Sequence, residues 1–263
     1  MPIEDTLSRL PVLLVAAHPD DETIGAGGML GHMANPHVLH LTDGAPRNPN
    51  FALAAGYRSR EDYARARRRE LSRALQLAGI PESRTVSFQI TDQRASYDLV
   101  GLTRRIGQLL RSLRPAVILC HAYEGGHPDH DAAAFAVHAA CRLLPAPPRI
   151  YEFTSYHAAA LPEPALETGR FLVGQESGEV VVLPDPDRNR KAAMLACFES
   201  QAEVLRNFQA HEERFREAPA YNFAQAPHGG RVFYETFPSG MSSELWLNLA
   251  GDALRQLEVP ALL

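Results

Sequence analysis

Two polar clusters in this chain have the residue types and spacing to hold a divalent metal and move protons beside it. The first is His18, Asp20, Asp21 and Glu22, interrupted only by Pro19. The second is His127-Pro128-Asp129-His130. Carboxylates packed so closely repel one another and resist burial without a counter-charge. Taken alone, the first cluster reads equally well in two ways. It is a solvated acidic loop stabilised by the dipole of the helix that follows, or it binds a cation through His18 and Asp21 and leaves Asp20 free as a proton acceptor. Imidazole and carboxylate are ordinary zinc ligands, but two of them leave a site one ligand short.

The second cluster supplies the missing group. Proline suits the first position of a helix, which places His127 at the N-cap. His130 then stands one turn further on and faces the same way. His18 and Asp21 have the same i, i+3 relation. A single tetrapeptide of this kind is more often a helix cap than a ligand. Two of them, each following a strand, point to a metal site with three protein ligands, an open position and two unligated groups, which is the catalytic arrangement.

The elements that position these clusters alternate. Short apolar runs read as strands over 12–17, 37–41, 85–90 and 116–120, with helices over 23–34, 61–78 and 99–113 between them. Thr42-Asp43-Gly44 closes the second strand, and a polar loop around Pro46 to Asn50 follows. The helix over 61–78 is basic and amphipathic, with Gly79-Ile80-Pro81 as its stop. A further helix opens at Pro128 and a strand covers 149–156. Residues 161–184 form an irregular excursion or hairpin that is β-rich over 179–183. A long helix over 188–208 carries Lys191, Ser200 and Gln201, and the tail gives a strand-like 231–237 and a helix over 242–257. The order implies an α/β fold with a doubly wound, mostly parallel sheet flanked by helices, a smaller irregular or β excursion in the C-terminal half, and a single domain over 1–263. Ligands bind such sheets outside the carboxyl ends of the strands, where both clusters fall.

The 263 residues are 45% hydrophobic and 22% charged, an ordinary globular composition, and a net charge of -5 gives no basic footprint for nucleic acid. No apolar run approaches membrane-spanning length. Residues 1–10 include Glu4 and Asp5 and lack the apolar core of a signal peptide. Cys120, Cys141 and Cys197 are scattered and odd in number, which fits a reducing cytoplasm and leaves any metal to His and carboxylate.

Ala17-His18-Pro19-Asp20-Asp21-Glu22 with Gly25, Gly27 and Gly28, followed by His127-Pro128-Asp129-His130, resembles the PIG-L/LmbE family. These are zinc-dependent N-deacetylases of N-acetylglucosamine-containing compounds, with a Rossmann-like fold. Arg67-Arg68-Arg69-Glu70 resembles the family's Arg-x-x-Glu helix, Asp92 falls where the family has an aspartate after its third strand, and Lys191 with Ser200-Gln201 resembles its later helix. The resemblance implies a small amino-sugar substrate, with His18, Asp21 and His130 as zinc ligands and Asp20 as general base and then acid. It makes His127 the oxyanion donor, oriented by Asp129, and assigns Arg67 and Asp92 to sugar hydroxyls. A His2Asp site also suits other divalent transition metals. A carboxylate beside an activated water can shuttle its proton, and a cation-like donor opposite the metal stabilises the tetrahedral intermediate.

Some members place a tyrosine two residues before the first His of the second motif. This chain has Gly125 there and Tyr123 nearby, so no tyrosine is assigned. Arg67 reads equally as one of a solvated face with Arg65, Arg68 and Arg69, and Asp92 as a turn residue. His32, His37, His40, His121, His138, His157, His211 and His228 read as surface residues. A nucleotide-binding turn is excluded, because the slot that its glycines need holds Asp20, Asp21 and Glu22, which repel phosphate. A non-catalytic sugar- or metal-binding protein would need neither Asp20 nor His127. An amidase acting on a thiol-conjugated glucosaminide would use the same metal chemistry.

Overall fold

Val12-Leu13-Leu14-Val15 and Val117-Ile118-Leu119 are buried throughout, and strands apolar on both faces sit inside a sheet covered on each side. The computed structural model describes residues 2–159, 165–172, 178–229 and 231–263. In chain order its elements are α1 (Ile3–Arg9), β1 (Pro11–Ala16), α2 (Asp21–Leu30), β2 (Ala34–Pro46), α3 (Pro49–Ala54), α4 (Arg60–Leu77) and β3 (Thr85–Asp92). Then come α5 (Leu99–Leu113), β4 (Val117–His121), α6 (Pro128–Arg142), β5 (Arg149–Phe153), β6 (Tyr156–Ala159) and β7 (Ala165–Thr168). The chain continues through β8 (Glu179–Val182), α7 (Asp185–Ala196), α8 (Ala202–Leu205), β9 (Glu212–Glu217) and α9 (Ser243–Leu257).

The main sheet has the order β3-β2-β1-β4-β5-β9-β8. It is parallel from β3 through β5, and β9 runs antiparallel to both β5 and β8. Alternation along β1 sends Leu13 and Val15 into one core with α5, α6 and α9, and Val12 and Leu14 into the other with α1, α2 and α7. The topological switch lies between β1 and β4, where the chain stops building outward on one side and starts on the other.

Helix α2 is broken at Ala26, whose φ of -147° leaves the helical region. At the break a buried ion pair engages the backbone of the helix. Gly28 N–H and Met29 N–H donate to Glu213 at 2.7 and 3.1 Å. Lys191 Nζ donates to the Ile24 carbonyl and to Glu213, both at 2.8 Å. A Cβ on Gly28 would lie 2.3 Å from a Leu183 methyl, so any larger residue here must push that buried side chain aside.

Several expectations are corrected. β2 runs on to Pro46, because Thr42-Asp43-Gly44 is absorbed in its register shifts and does not end it. The polar stretch after it forms α3, capped by Asn48 with Pro49 in the first turn. The expected strand over 149–156 splits, since Thr154 N–H bonds to Arg214 and β6 leaves to pair with β7 in a separate sheet. The long helix over 188–208 stops at Ala196. Glu70 on α4 takes the Ser200 N–H at 2.9 Å and its hydroxyl at 2.6 Å, which turns the chain into a 3-10 turn and the short α8. The strand-like 231–237 is a 3-10 turn at Phe233–Glu235, with Phe233 N–H bonded to Gly125. Of the excursion over 161–184, β7 and β8 are described, whereas 161–164 and 173–177 lie outside the described residues.

Candidate active site

His18, Asp20 and Asp21 lie just past β1, Asp92 ends β3, and His127 and His130 open α6 after β4. All therefore meet at one edge of the sheet. His18 N–H donates to Asp21 Oδ2 at 2.7 Å, and the His18 ring Nδ1 is 3.1 Å from the same oxygen. His130 Nε2 lies 3.2 Å from Asp21 Oδ1. Asp21 thus links both histidines. Asp20 adopts φ 127°, a strained value for a residue with a Cβ. Its N–H is held by Glu22 at 3.0 Å and its carboxylate by both Arg67 prongs at 3.1 and 3.2 Å. Glu22, bonded also to His40 at 2.9 Å, braces this turn from beneath.

Arg67 is buried while Arg65, Arg68 and Arg69 are exposed, which decides between its two readings. Asp92 Oδ1 sits 3.1 Å from His18 Nε2 and 3.8 Å from His127 Nε2, so it faces the imidazoles. Asp129 departs from its expected part. Its carboxylate accepts from Gln93 N–H at 2.6 Å and Ala95 N–H at 2.9 Å and lies 3.4 Å from His18 Nε2. What touches His127 is the Asp129 backbone N–H, which donates to Nδ1 at 3.1 Å. That bond fixes the His127 proton on Nε2. Tyr123 is turned away, its hydroxyl bonded to Gln225 in an aromatic core with Phe223 and Trp246.

Two residues missed by sequence reasoning belong here. His121, read as a surface residue, is fully buried and ends β4. Its ring stacks on His130 with centroids 4.0 Å apart, and its Nε2 accepts from Ala17 N–H at 3.1 Å and lies 3.3 Å from Asp21 Oδ2. His40, His138 and His157 are likewise buried. Tyr156 on β6 packs its ring against His130 at 5.1 Å. Gly126 makes room for it, since a Cβ there would lie 1.9 Å from the Tyr156 carbonyl oxygen.

Burial pushes the Asp20 carboxyl up to about 7, with Arg67 opposing and Asp21 reinforcing the rise. Burial also works against ionised Asp21, but His130, His121 and His18 outweigh it and hold the group well below the carboxylate range. Burial lowers His127 to about 3, so this imidazole is a neutral donor, not the cation-like one expected.

These residues fit a divalent cation. Asp20, Asp21, Glu22 and Asp129 are buried with Asp92 beside them, and Arg67 is the cation bonded to Asp20 in their midst. His130 Nε2, Asp92 Oδ1 and His121 Nδ1 are buried without a hydrogen-bond partner among the described residues. His130 Nε2 and Asp21 Oδ1 are close without the alignment of a hydrogen bond, as neighbouring ligands of one ion are; bonds of about 2.0–2.1 Å place tetrahedral neighbours ~3.3 Å apart. Three overlapping groups, His18/His127/His130, Asp21/His121/His130 and His18/Asp92/His127/Asp129, each bring one ligand atom per residue within 4.8 Å of the others. A cavity of about 550 Å³ opens over this floor.

Fold and cluster together give an α/β protein with a candidate metal centre at the switch point of its sheet. Residues 13–141 match the family model PIG-L, described as GlcNAc-PI de-N-acetylase. The match takes in both polar clusters, and over this part the chain resembles the PIG-L/LmbE family. It is 28% identical over 251 residues to a 1D-myo-inositol 2-acetamido-2-deoxy-alpha-D-glucopyranoside deacetylase of Rhodococcus jostii (strain RHA1), covering 81% of this chain and 85% of that protein. It is 32% identical over 145 residues to a Bacillus anthracis protein named "Probable N-acetyl-alpha-D-glucosaminyl L-malate deacetylase 2", covering 51% of this chain and 60% of that protein. The fold matches the zinc-inhibited form of teicoplanin deacetylase Orf2 with a TM-score of 0.57 at 18% identity, over 79% of this chain and 98% of that one. No helix among the described residues is long and apolar enough to cross a membrane.

Proposed function

We propose that this chain hydrolyses the N-acetyl group of an N-acetylglucosamine-containing small molecule or glycoconjugate, with zinc as the resident metal. The observation that carries the reading is Asp21, whose two oxygens lie 3.1 Å from His18 and 3.2 Å from His130, beside a buried, Arg67-held Asp20 that lines the cavity. His18, Asp21 and His130 would hold the ion, which when bound supplies Lewis acidity and makes hydroxide accessible near pH 7.

The remaining chemistry belongs to the chain. Asp20, poised near neutrality, takes a proton from the attacking water and returns it to the departing amine as the C–N bond breaks, giving acetate and a free amino sugar. His127 directs its Nε2–H at the developing oxyanion, with Nδ1 fixed by the Asp129 N–H. Arg67 keeps Asp20 in place, and Asp92 is set to meet sugar hydroxyls as well as His18. A cytoplasmic location belongs to this reading and is supported by the three free cysteines.

The test is acetate release from free, inositol-linked, malate-linked, lipid-linked and antibiotic-linked N-acetylglucosamine, run with zinc and with a chelator. Release should require metal, and Asp20→Asn should lower kcat by about 10²–10⁴. Metal-independent release, or an Asp20→Asn variant of undiminished activity, refutes the mechanism.

A further inference from the structure

The cavity over the metal centre has a polar floor and an apolar wall. From His127 the wall runs through Phe237, its ring stacked at 5.7 Å, to Phe233 at 6.1 Å, Tyr156 at 5.9 Å and Phe208 at 6.1 Å. Phe51 on α3 also lines the cavity. Leu166 and Val204, which line it too, are 39% and 50% exposed, so the apolar surface continues outward to solvent. Exposed apolar groups that continue a binding cavity mark a surface that a ligand covers.

Charge points the same way. Arg67 is the one cation among the described lining residues, and both of its prongs rest on Asp20. Glu203 adds an acid to the lining. Beside Val204 an anionic substituent would meet Glu203, and the described lining residues offer it no Lys or Arg other than Arg67, which is already held by Asp20. The group that fits is uncharged and apolar. Its place is outward from the buried floor, on the far side of the sugar from the scissile amide, because Leu166 and Val204 are exposed while His18 and His127 are 7% and 6% exposed.

We infer that the substrate is an amino sugar carrying an alkyl or aryl aglycone, seated on the outer wall formed by Leu166, Val204 and Phe208. The inference rests on the deacetylase reading for the orientation of the sugar. Burying one methylene multiplies affinity about threefold to fourfold, and affinity that persists into the transition state raises kcat/KM.

The experiment compares methyl, octyl and malyl glycosides of N-acetylglucosamine, below the micelle concentration of the octyl compound, by acetate release with zinc. The octyl glycoside should exceed the methyl glycoside in kcat/KM by about 30-fold or more, with the malyl glycoside below both. Val204→Asp should bring the octyl-to-methyl ratio below about 3. A ratio near one in the wild type, a malyl preference, or a preference for the N-octanoyl over the N-acetyl methyl glycoside overturns the inference and leaves the deacetylase reading standing. Calorimetric binding of octyl against methyl glucosaminide separates the two readings. Tighter octyl binding without acetate release from any glycoside sustains the apolar subsite and removes the deacetylase. Equal binding removes the subsite.

Discussion

Removing the Glu213 carboxylate should open α2 at its break. Glu213 is fully buried and accepts from Gly28 N–H, Met29 N–H and Lys191 Nζ, and Lys191 is 1% exposed. Glu213→Gln leaves a buried cation without its partner, which costs about 3–5 kcal/mol. For a chain of this size that lowers Tm by roughly 6–20 °C. Glu213→Ala also leaves the two N–H groups without an acceptor and should cost about 1–3 kcal/mol more. Lys191→Met strands the carboxylate but leaves it both N–H donors, so it should be milder than Glu213→Ala. The double variant Lys191→Met/Glu213→Gln buries no charge and should recover at least about 1 kcal/mol relative to Glu213→Gln. The assay is urea unfolding followed by circular dichroism in chelator, since bound metal would add its own stabilisation. A Glu213→Gln loss below about 1 kcal/mol, or single losses that simply add, would mean that water already reaches the pair and something else closes the helix.

Three further outcomes are expected. His121→Phe keeps the stack on His130 but loses the nitrogen beside Asp21, and should weaken metal binding about 10–100-fold in a chelator competition, with an unchanged circular dichroism spectrum; equal affinity would make His121 a packing residue. Burial lowers His138 to about 4. Between that value and about 6.5 the unfolded state therefore binds the extra proton, and stability falls as pH drops through the window, by about 3 kcal/mol in all. His138→Leu should flatten the difference between unfolding at pH 7 and pH 4, and an equal slope in both proteins would refute the assignment. Gly126→Ala drives a Cβ into the Tyr156 carbonyl and should destabilise by about 1–3 kcal/mol in the same urea assay; a silent substitution would mean that β6 moves aside freely.

The metal cluster was legible because its chemistry is local. His18, Asp20 and Asp21, and His127 and His130, each follow a strand whose apolar run announces itself. The parallel half of the sheet was legible for the same reason, as Val12 to Val15 and Val117 to Leu119 have no polar face. Arg67 was not separable from Arg65, Arg68 and Arg69 by periodicity, because what turns it inward is Asp20, 47 residues away. His121 did leave a signal. It is the last residue of a strand buried along its length, pointing where the sheet binds ligands, and such a position is no surface site. The break after Ala196 left none, since Ser200 bonds to Glu70 across 130 residues. The apolar wall also has no local period. Phe233 and Phe237 are neighbours four residues apart, but Phe208 and Tyr156 reach them from distant segments and meet them through packing alone.

The pairing of Glu213 with Gly28 spans 185 residues, and this sets the order in which the site matures on the ribosome. At about 5–20 residues per second, β9 follows α2 by roughly 10–40 s. Until then the Gly28 and Met29 N–H groups lack the Glu213 carboxylate, and α2 is held to the sheet by the apolar packing of Ala26, Met29 and Leu30 alone. The candidate metal ligands are all made by residue 130, yet the helix presenting Asp21 is locked by the last strand of the sheet to be synthesised. A chain stopped before Glu213 would carry every ligand and no fixed frame to hold them.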